Sequence, residues 1–212
     1  MKLLKKMSPE LLVILDEYKK WFDQAVNCGH GRLILPVDEK RIDGHTLASA
    51  TSTEYLESVM KDSHRGIPEV ALVTDFQYTP LVPVRFRNKS AELCDELLEF
   101  LGAKFNAVHV HYPTGGFMGW HSNWDCPGYN ILMSHSPDGK GFFRYRDSVT
   151  KEIITMKDTI GWSCKVGYYG GKEESEDLHY WHCAGSDSPR QTLGFVIPHK
   201  EMWEMMIEEI EG

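Results

Sequence analysis

The 212-residue sequence has little of what would mark a disulfide-rich or membrane protein. It contains no CxxC pair, and its cysteines are odd in number and widely scattered, which argues against a disulfide framework or a zinc knuckle. No apolar run approaches the roughly 20 residues of a membrane span, and the N-terminal MKLLKKMSPELL has a polar break where a signal peptide would stay apolar. We therefore expect a cytoplasmic protein with reduced cysteines, at positions Cys28, Cys94, Cys126, Cys164 and Cys183.

Positive charge is also scarce. Lysine and arginine together number 23, against 31 aspartates and glutamates, so the formal net charge is −8. Nucleic acid is not an expected partner, because sequence-independent binding needs cationic side chains that neutralise phosphates. Hydrophobic residues make up 42% and charged residues 25%, which are ordinary values for a globular chain. Together with the length, they predict one domain spanning residues 1–212.

Helical patterns flank the chain. Ser8 and Pro9 open an apolar stripe at helical spacing that continues to Val26. Ser90 is predicted to open a second helix with leucines on one face, and the basic run RFRNK before it is expected to lie in a loop. Three further elements are predicted: a helix over 52–61, a strand over 70–76 and a closing helix after Pro198.

Between residues 104 and 198 the sequence changes to short runs rich in β-branched and aromatic residues, separated by turn motifs such as PTGG, SPDGKG and GSDSP. This spacing is typical of a β-sandwich or barrel. The chain is predicted to be mainly β, with a mixed helical flank over 1–103, a β core over 104–198 and a C-terminal helix over 199–212. The eight predicted core strands are 105–112, 117–122, 129–135, 141–146, 152–155, 160–169, 179–183 and 190–197.

Two histidines, His121 and His182, each follow a tryptophan at the end of a predicted strand. A redox-active iron site typically uses two imidazoles and a carboxylate on one side of the metal, which leaves positions for a co-substrate and dioxygen. Arg190 and Thr192 lie two apart on a predicted strand, so their side chains share a face, and a guanidinium beside a hydroxyl suits a buried carboxylate. A surface ion pair is the other interpretation of Arg190, but the apolar continuation LGFVI argues against an exposed strand.

The set of His121, His182 and the pair Arg190-x-Thr192 resembles the signature of the iron(II)/2-oxoglutarate-dependent dioxygenases. The stretch HVHYPTGGFMGWH is also similar to the strand that precedes the first metal ligand in prolyl-hydroxylase-like and AlkB-like members. The resemblance covers roughly residues 105–197. It implies that the β core is a double-stranded β-helix, the jelly-roll architecture that these enzymes share with cupins.

The resemblance also implies roles for single residues. His121 and His182 would bind iron(II), Arg190 and Thr192 would hold the distal carboxylate of the co-substrate 2-oxoglutarate, and Tyr112 would donate its hydroxyl to the same molecule. The implied activity is the hydroxylation of a small molecule or a peptide side chain by dioxygen, with release of succinate and carbon dioxide.

The sequence departs from the family pattern at Asn123, where the pattern has a carboxylate. Three interpretations stay open. Asn123 takes the ligand position as a neutral oxygen donor, directly or through a water. Alternatively, the turn bulges and Asp125 supplies the charge. In the third interpretation the metal site is lost, and the domain only binds a ligand.

Other functions also stay open. The main alternative is a non-catalytic, cupin-like jelly-roll protein that binds a carboxylate ligand, and a weaker one is a zinc-dependent jelly-roll enzyme. His109 and His111 share a face of one predicted strand and so are candidates for approaching the metal. We expect them instead to be core histidines with hydrogen-bond partners.

Overall fold

The structure is a computed structural model that describes residues 1–27, 33–62, 66–175 and 178–212. Cys28 lies outside the described residues, and the other four cysteines are free thiols. The described elements, in chain order, are β1 Lys2–Leu3, α1 Pro9–Val26, a 3-10 turn Glu39–Arg41, α2 Leu47–Ala50, α3 Thr53–Lys61, β2 Ala71–Leu72, β3 Thr74–Asp75, α4 Val84–Leu101, β4 Phe105–Tyr112, β5 Gly116–His121, β6 Gly128–Ser136, β7 Gly141–Arg146, β8 Ile153–Lys157, β9 Gly161–Tyr169, β10 His182–Ser186, β11 Arg190–Ile197 and α5 Lys200–Glu211.

The strands form two antiparallel sheets. The larger sheet has the order β1-β9-β6-β11-β4-β3, and the smaller has the order β2-β5-β10-β7-β8. Every described strand pair is antiparallel. The chain is thus mainly β, as predicted, with an arrangement consistent with a β-sandwich or jelly-roll-like fold.

Alternation along the strands sends each side chain to one of two compartments. On β11, Leu193 and Phe195 face the helices, while Arg190 and Thr192 face the space between the sheets. The outer compartment is a mainly apolar core between the larger sheet and α1, α4 and α5. The inner compartment has aromatic and aliphatic walls and holds the polar side chains described below.

Both long N-terminal helices pack on the outer face of the larger sheet. Helix α1 begins where predicted, with the Ser8 hydroxyl accepting a hydrogen bond from the Leu11 amide and Pro9 in the first turn. Helix α4 ends at Gly102, whose φ of +58° is the left-handed conformation that glycine adopts most readily. In the described part of the chain, no helix combines the length and apolarity that crossing a membrane requires.

Three predicted boundaries are wrong. Helix α4 begins at Val84 rather than Ser90, so RFRNK lies in its first turns, where Arg85 donates to the Ala25 carbonyl near the end of α1. Residues 179–181 do not belong to a strand, because their aromatic side chains pack against the core without joining a ladder, and β10 starts at His182. The predicted strand 70–76 is interrupted and forms β2 and β3, which lie in different sheets.

His109 is a core residue, as expected. Its ring lies fully buried on the outer face of β4, where Nε2 is 3.1 Å from the Tyr18 hydroxyl and Nδ1 meets the Ser90 hydroxyl. This contact ties α1 and α4 to the larger sheet. His111 also faces outward, with its ring centroid 5.3 Å from that of Phe22. Neither histidine lines the cavity between the sheets.

Burial of His109 predicts an acid-sensitive fold. Burial lowers the pKa of His109 to about 3, whereas the pKa of a histidine in an unfolded chain is about 6.5. The unfolded state therefore binds one more proton between these values, and this contribution to stability is lost as the pH falls from about 6.5 towards 3. Its slope is about 1.4 kcal/mol per pH unit.

Urea unfolding of the wild type and of His109→Gln at several pH values checks this. Burial also raises the pKa values of the neighbouring Tyr18 and Cys94, so both stay uncharged in this range. We expect the variant to show a pH dependence that is shallower by about one proton. Equal slopes for the two proteins would contradict the assignment.

Candidate metal and carboxylate site

Two histidines meet at one end of the inner cavity because their strands pair. His121 ends β5 and His182 begins β10, and the antiparallel register places them directly opposite each other. Their ring centroids are 4.1 Å apart, and both residues are buried. The structure therefore brings together two histidines that 60 intervening residues separate along the chain.

The backbone sets the orientation of both rings. Nδ1 of His121 lies 2.8 Å from the Gly119 carbonyl oxygen, and Nδ1 of His182 lies 2.7 Å from the Tyr180 carbonyl oxygen. A carbonyl accepts only, so each Nδ1 carries a proton, and in a neutral ring Nε2 then presents a lone pair. Burial also lowers the pKa of His182 to about 4, which keeps its ring neutral at physiological pH. Metal-binding histidines have this arrangement, in which the second nitrogen donates to a backbone carbonyl.

Asn123 occupies the turn beside the histidine pair. Its φ of +51° is in the left-handed region that asparagine tolerates, and its amide nitrogen lies 3.4 Å from Nε2 of His182. Because rotation of the amide exchanges its nitrogen and oxygen, Oδ1 can take the same place. Asp125 is exposed and does not line the cavity. The structure thus brings Asn123, and not Asp125, next to the histidines.

These residues fit a divalent metal in donor type but supply no negative charge. Two imidazole nitrogens and an amide oxygen are suitable donors for iron(II) or zinc(II), but the set carries no negative charge. Within the described ranges, no group of three or more histidine, cysteine, aspartate or glutamate side chains is placed to hold a metal. The site would therefore bind a metal more weakly than one with a carboxylate ligand.

Arg190 lies at the other end of the cavity. Its side chain is almost fully buried at the start of β11, where Nη1 donates to the Thr192 hydroxyl over 2.6 Å and Nη2 donates to the Ser134 hydroxyl over 3.0 Å. Tyr112 is its cross-strand neighbour on β4, and the guanidinium carbon stands 4.9 Å from the Tyr112 ring centroid. Arg190, Thr192 and Tyr112 are therefore together, as the family resemblance implied, and Ser134 joins them.

Two charged residues beside Arg190 were not predicted from the sequence as part of the site. Asp158, in the turn after β8, accepts from Nε of Arg190 over 2.6 Å and from the Lys165 ammonium over 2.8 Å. Burial alone would raise the pKa of Asp158, but the two cations outweigh it and hold the pKa at about 2. The available signal was Lys165 itself, a lysine inside the otherwise apolar strand run of β9.

One cavity of about 180 Å³ joins the two ends. A cavity of 150 Å³ is large enough for a benzene-sized ligand, so this one accommodates a small molecule. The polar groups lie at its two ends, and the wall between them is apolar or aromatic: Val108, Met118, Leu132, Phe143, Tyr169 and Ala184.

The cavity opens between two exposed hydrophobic side chains and two charged ones. Ile67 and Tyr78 are 63% and 79% exposed, far more than the buried walls behind them. Arg41 is held by the Pro68 carbonyl, and the Asp75 carboxylate accepts hydrogen bonds from the Gln77 and Tyr78 amides. A second cavity of about 120 Å³ shares Arg41, Asp75 and Tyr78 with the first. The exposed side chains of Ile67 and Tyr78 thus mark the solvent-facing side of the cavity that His121 and His182 also line.

Tyr169 supplies a polar group that the protein itself does not satisfy. Its hydroxyl is buried, lines the cavity and has no hydrogen-bond partner in the described part of the chain. Its ring centroid is 4.8 Å from that of His182. Because a buried, unpaired hydroxyl is costly, its presence in the cavity wall is a sign of a polar ligand.

Comparison with known proteins adds little to this description. No protein-family model matches the sequence, and the search of curated proteins finds no match. Among solved structures, a Pseudomonas putida prolyl-4-hydroxylase is similar at 13% sequence identity and a TM-score of 0.43, over 92% of this chain and 91% of that one. The likeness is distant, so function has to be inferred from the side chains of this chain.

Tyr169 gives a prediction about the empty and the occupied cavity. Tyr169→Phe removes a hydroxyl that has no partner, so we expect the unliganded protein to keep or slightly gain thermal stability. The same change should weaken 2-oxoglutarate binding about threefold to tenfold, the usual worth of one hydrogen bond. Thermal melts with and without 2-oxoglutarate measure both effects. A loss of stability without ligand and an unchanged ligand response would contradict this role.

Proposed function

We propose that the protein is an iron(II)- and 2-oxoglutarate-dependent oxygenase. One observation carries the proposal: a single cavity runs from a histidine pair with metal-binding tautomers to a buried arginine. A ligand that chelates a metal at one end and ends in a carboxylate at the other matches both ends, and 2-oxoglutarate is such a molecule.

The strand order supports a double-stranded β-helix as the finer description of the core. From β4 onwards, strands β4, β6, β9 and β11 belong to the larger sheet, and β5, β7, β8 and β10 belong to the smaller one. The chain therefore crosses repeatedly between the sheets, as in a jelly roll. This topology supports the assignment because it places both histidines and Arg190 on strands that border one cavity.

In the proposed site, His121, His182 and Asn123 hold the metal. Iron(II), 2-oxoglutarate and dioxygen together supply the oxidation, which releases succinate and carbon dioxide and hydroxylates the substrate. Arg190 and the Thr192 hydroxyl bind the distal carboxylate, which fixes the co-substrate in one direction. The Tyr112 hydroxyl donates to the same carboxylate. Burial raises the pKa of this hydroxyl more than the positive charge of Arg190 lowers it, so the hydroxyl keeps its proton.

The mouth supports a small molecule or a peptide side chain as substrate. The opening between Ile67 and Tyr78 offers apolar contact, while Arg41 and Asp75 offer one charge of each sign. The cavity behind it is narrow, so only a small group reaches the histidines. The net charge of −8 disfavours nucleic acid here.

The proposal is tested by anaerobic iron(II) titration followed by 2-oxoglutarate turnover in air. We expect succinate and carbon dioxide in the presence of iron(II), and loss of both in His121→Ala and His182→Ala. Lys157→Met, an exposed change on β8, is a control that should retain turnover. The protein is a carboxylate-binding module rather than an enzyme if the histidine variants bind 2-oxoglutarate as tightly as the wild type does and neither they nor the wild type show iron-dependent turnover.

The third metal ligand is tested separately. Asn123→Asp adds a negative charge at a backbone conformation that aspartate also tolerates, so it should tighten iron(II) binding by about tenfold, or about 1.4 kcal/mol. Asp125→Ala should leave iron(II) affinity unchanged, because the Asp125 side chain is exposed and outside the cavity. Loss of iron(II) binding in Asp125→Ala would assign the position to Asp125 instead.

A further inference from the structure

Two buried cations share one buried carboxylate at the closed end of the cavity. Asp158 accepts from Lys165 at Oδ1 over 2.8 Å and from Arg190 at Oδ2 over 2.6 Å. The side chains of Lys165 and Arg190 are each 1% exposed, and both line the cavity. Among the described residues, the group therefore contains two basic groups and one acid, Asp158, which pairs with both.

Asp158 holds Arg190 in place but also opposes its function. The Asp158 carboxylate occupies Nε of Arg190, which leaves Nη1 and Nη2 on the side of Thr192 and Ser134. Gly141 permits this close packing, because a Cβ there would lie 2.9 Å from Cδ of Arg190 and collide with the Asp158 carboxylate. A carboxylate at this distance would cancel the charge of Arg190 and repel an anionic ligand.

We propose that Lys165 is a positioning residue that balances the charge of Asp158, so that Arg190 keeps its positive charge for the terminal carboxylate of a bound ligand. Asp158 thereby orients the guanidinium without neutralising the subsite. The identity of the ligand as 2-oxoglutarate rests on the proposed function, whereas the need for a carboxylate group does not.

The protonation of Lys165 is coupled to the ligand. Burial lowers the pKa of Lys165, with Arg190 acting in the same direction and Asp158 in the opposite one. The other titratable neighbours, Cys164 and Tyr112, stay protonated because burial raises their pKa values. An anion bound beside Arg190 favours the charged form of Lys165, so ligand binding and the protonated ammonium support each other.

A double-mutant cycle tests the charge balance by calorimetric titration with 2-oxoglutarate. Lys165→Met leaves Arg190 and Asp158 to cancel each other, so we expect affinity to fall by about tenfold or more. Asp158→Asn combined with Lys165→Met restores one positive charge, and we expect it to recover affinity to within about threefold of the wild type. A direct contact or a purely structural role for Lys165 predicts no such recovery.

Two controls keep the result interpretable if a variant folds poorly. Lys157→Met removes an exposed lysine and should not change affinity. 2-Oxopentanoate, in which a methyl group replaces the distal carboxylate, should bind the wild type and Lys165→Met equally. For the wild type alone, 2-oxoglutarate affinity should fall as the pH rises towards the ordinary pKa of lysine, because burial lowers the pKa of Lys165 below that value. Lys165→Gln should flatten that profile.

Unchanged 2-oxoglutarate affinity in folded Lys165→Met overturns the inference, as does a folded double variant that stays weak. Titrations are run on the metal-free and on the anaerobic iron(II)-loaded protein. Absence of turnover with the cycle intact would reject the proposed oxygenase and keep the carboxylate subsite. Turnover by the wild type, combined with failure of the affinity changes predicted for the Lys165 and Asp158 variants, would keep the oxygenase and reject the role of Lys165.

Discussion

The buried ion pair between Arg190 and Asp158 is the constraint around which the cavity is organised. Asp158 follows β8 of the smaller sheet and Arg190 begins β11 of the larger one, so the pair joins the two sheets at one end. Removing one partner of such a pair typically costs about 3–5 kcal/mol, since it leaves an uncompensated buried charge. The sheets can therefore stay apart over an open cavity and still be held in a fixed relation at its closed end.

The two ends of the cavity differ in charge, and this difference gives the proposed ligand its direction. The histidine end lacks a carboxylate: burial lowers the pKa of His182 to about 4, so its ring is neutral, and Asn123 adds no charge. The Arg190 end is basic. In the proposed complex, a dianionic ligand would be attracted by the closed end, and its other negative group would supply the charge that the histidine end lacks.

Much of this was accessible from the sequence because it depends on local patterns. The boundaries of β7 and β11 were predicted correctly, since turn motifs flank both strands. His121, His182 and Arg190 could be proposed as site residues because each stands at a strand end within a recognisable pattern. The start of α4 was predicted wrongly because serine is a common helix N-cap residue. The Ser90 hydroxyl contacts His109 rather than capping the helix.

Other features depend on contacts between distant segments, and no local pattern reveals them. Asp158 and Arg190 are 32 residues apart in sequence, and only the packing of the two sheets shows that their side chains meet. The same holds for Ser134, which is 56 residues from Arg190. Asn123 could be recognised as a departure from the pattern, but only the geometry of the turn shows that its side chain lies beside His182.

The central claim is that one ligand spans the cavity between the histidine pair and Arg190. A crystal structure of the anaerobic iron(II) complex with 2-oxoglutarate tests it most directly. The account predicts iron bound by His121 and His182, with the 2-oxo acid group on the metal and the distal carboxylate on Arg190 and Thr192. A metal bound elsewhere, or a 2-oxoglutarate molecule that does not contact Arg190, would contradict it.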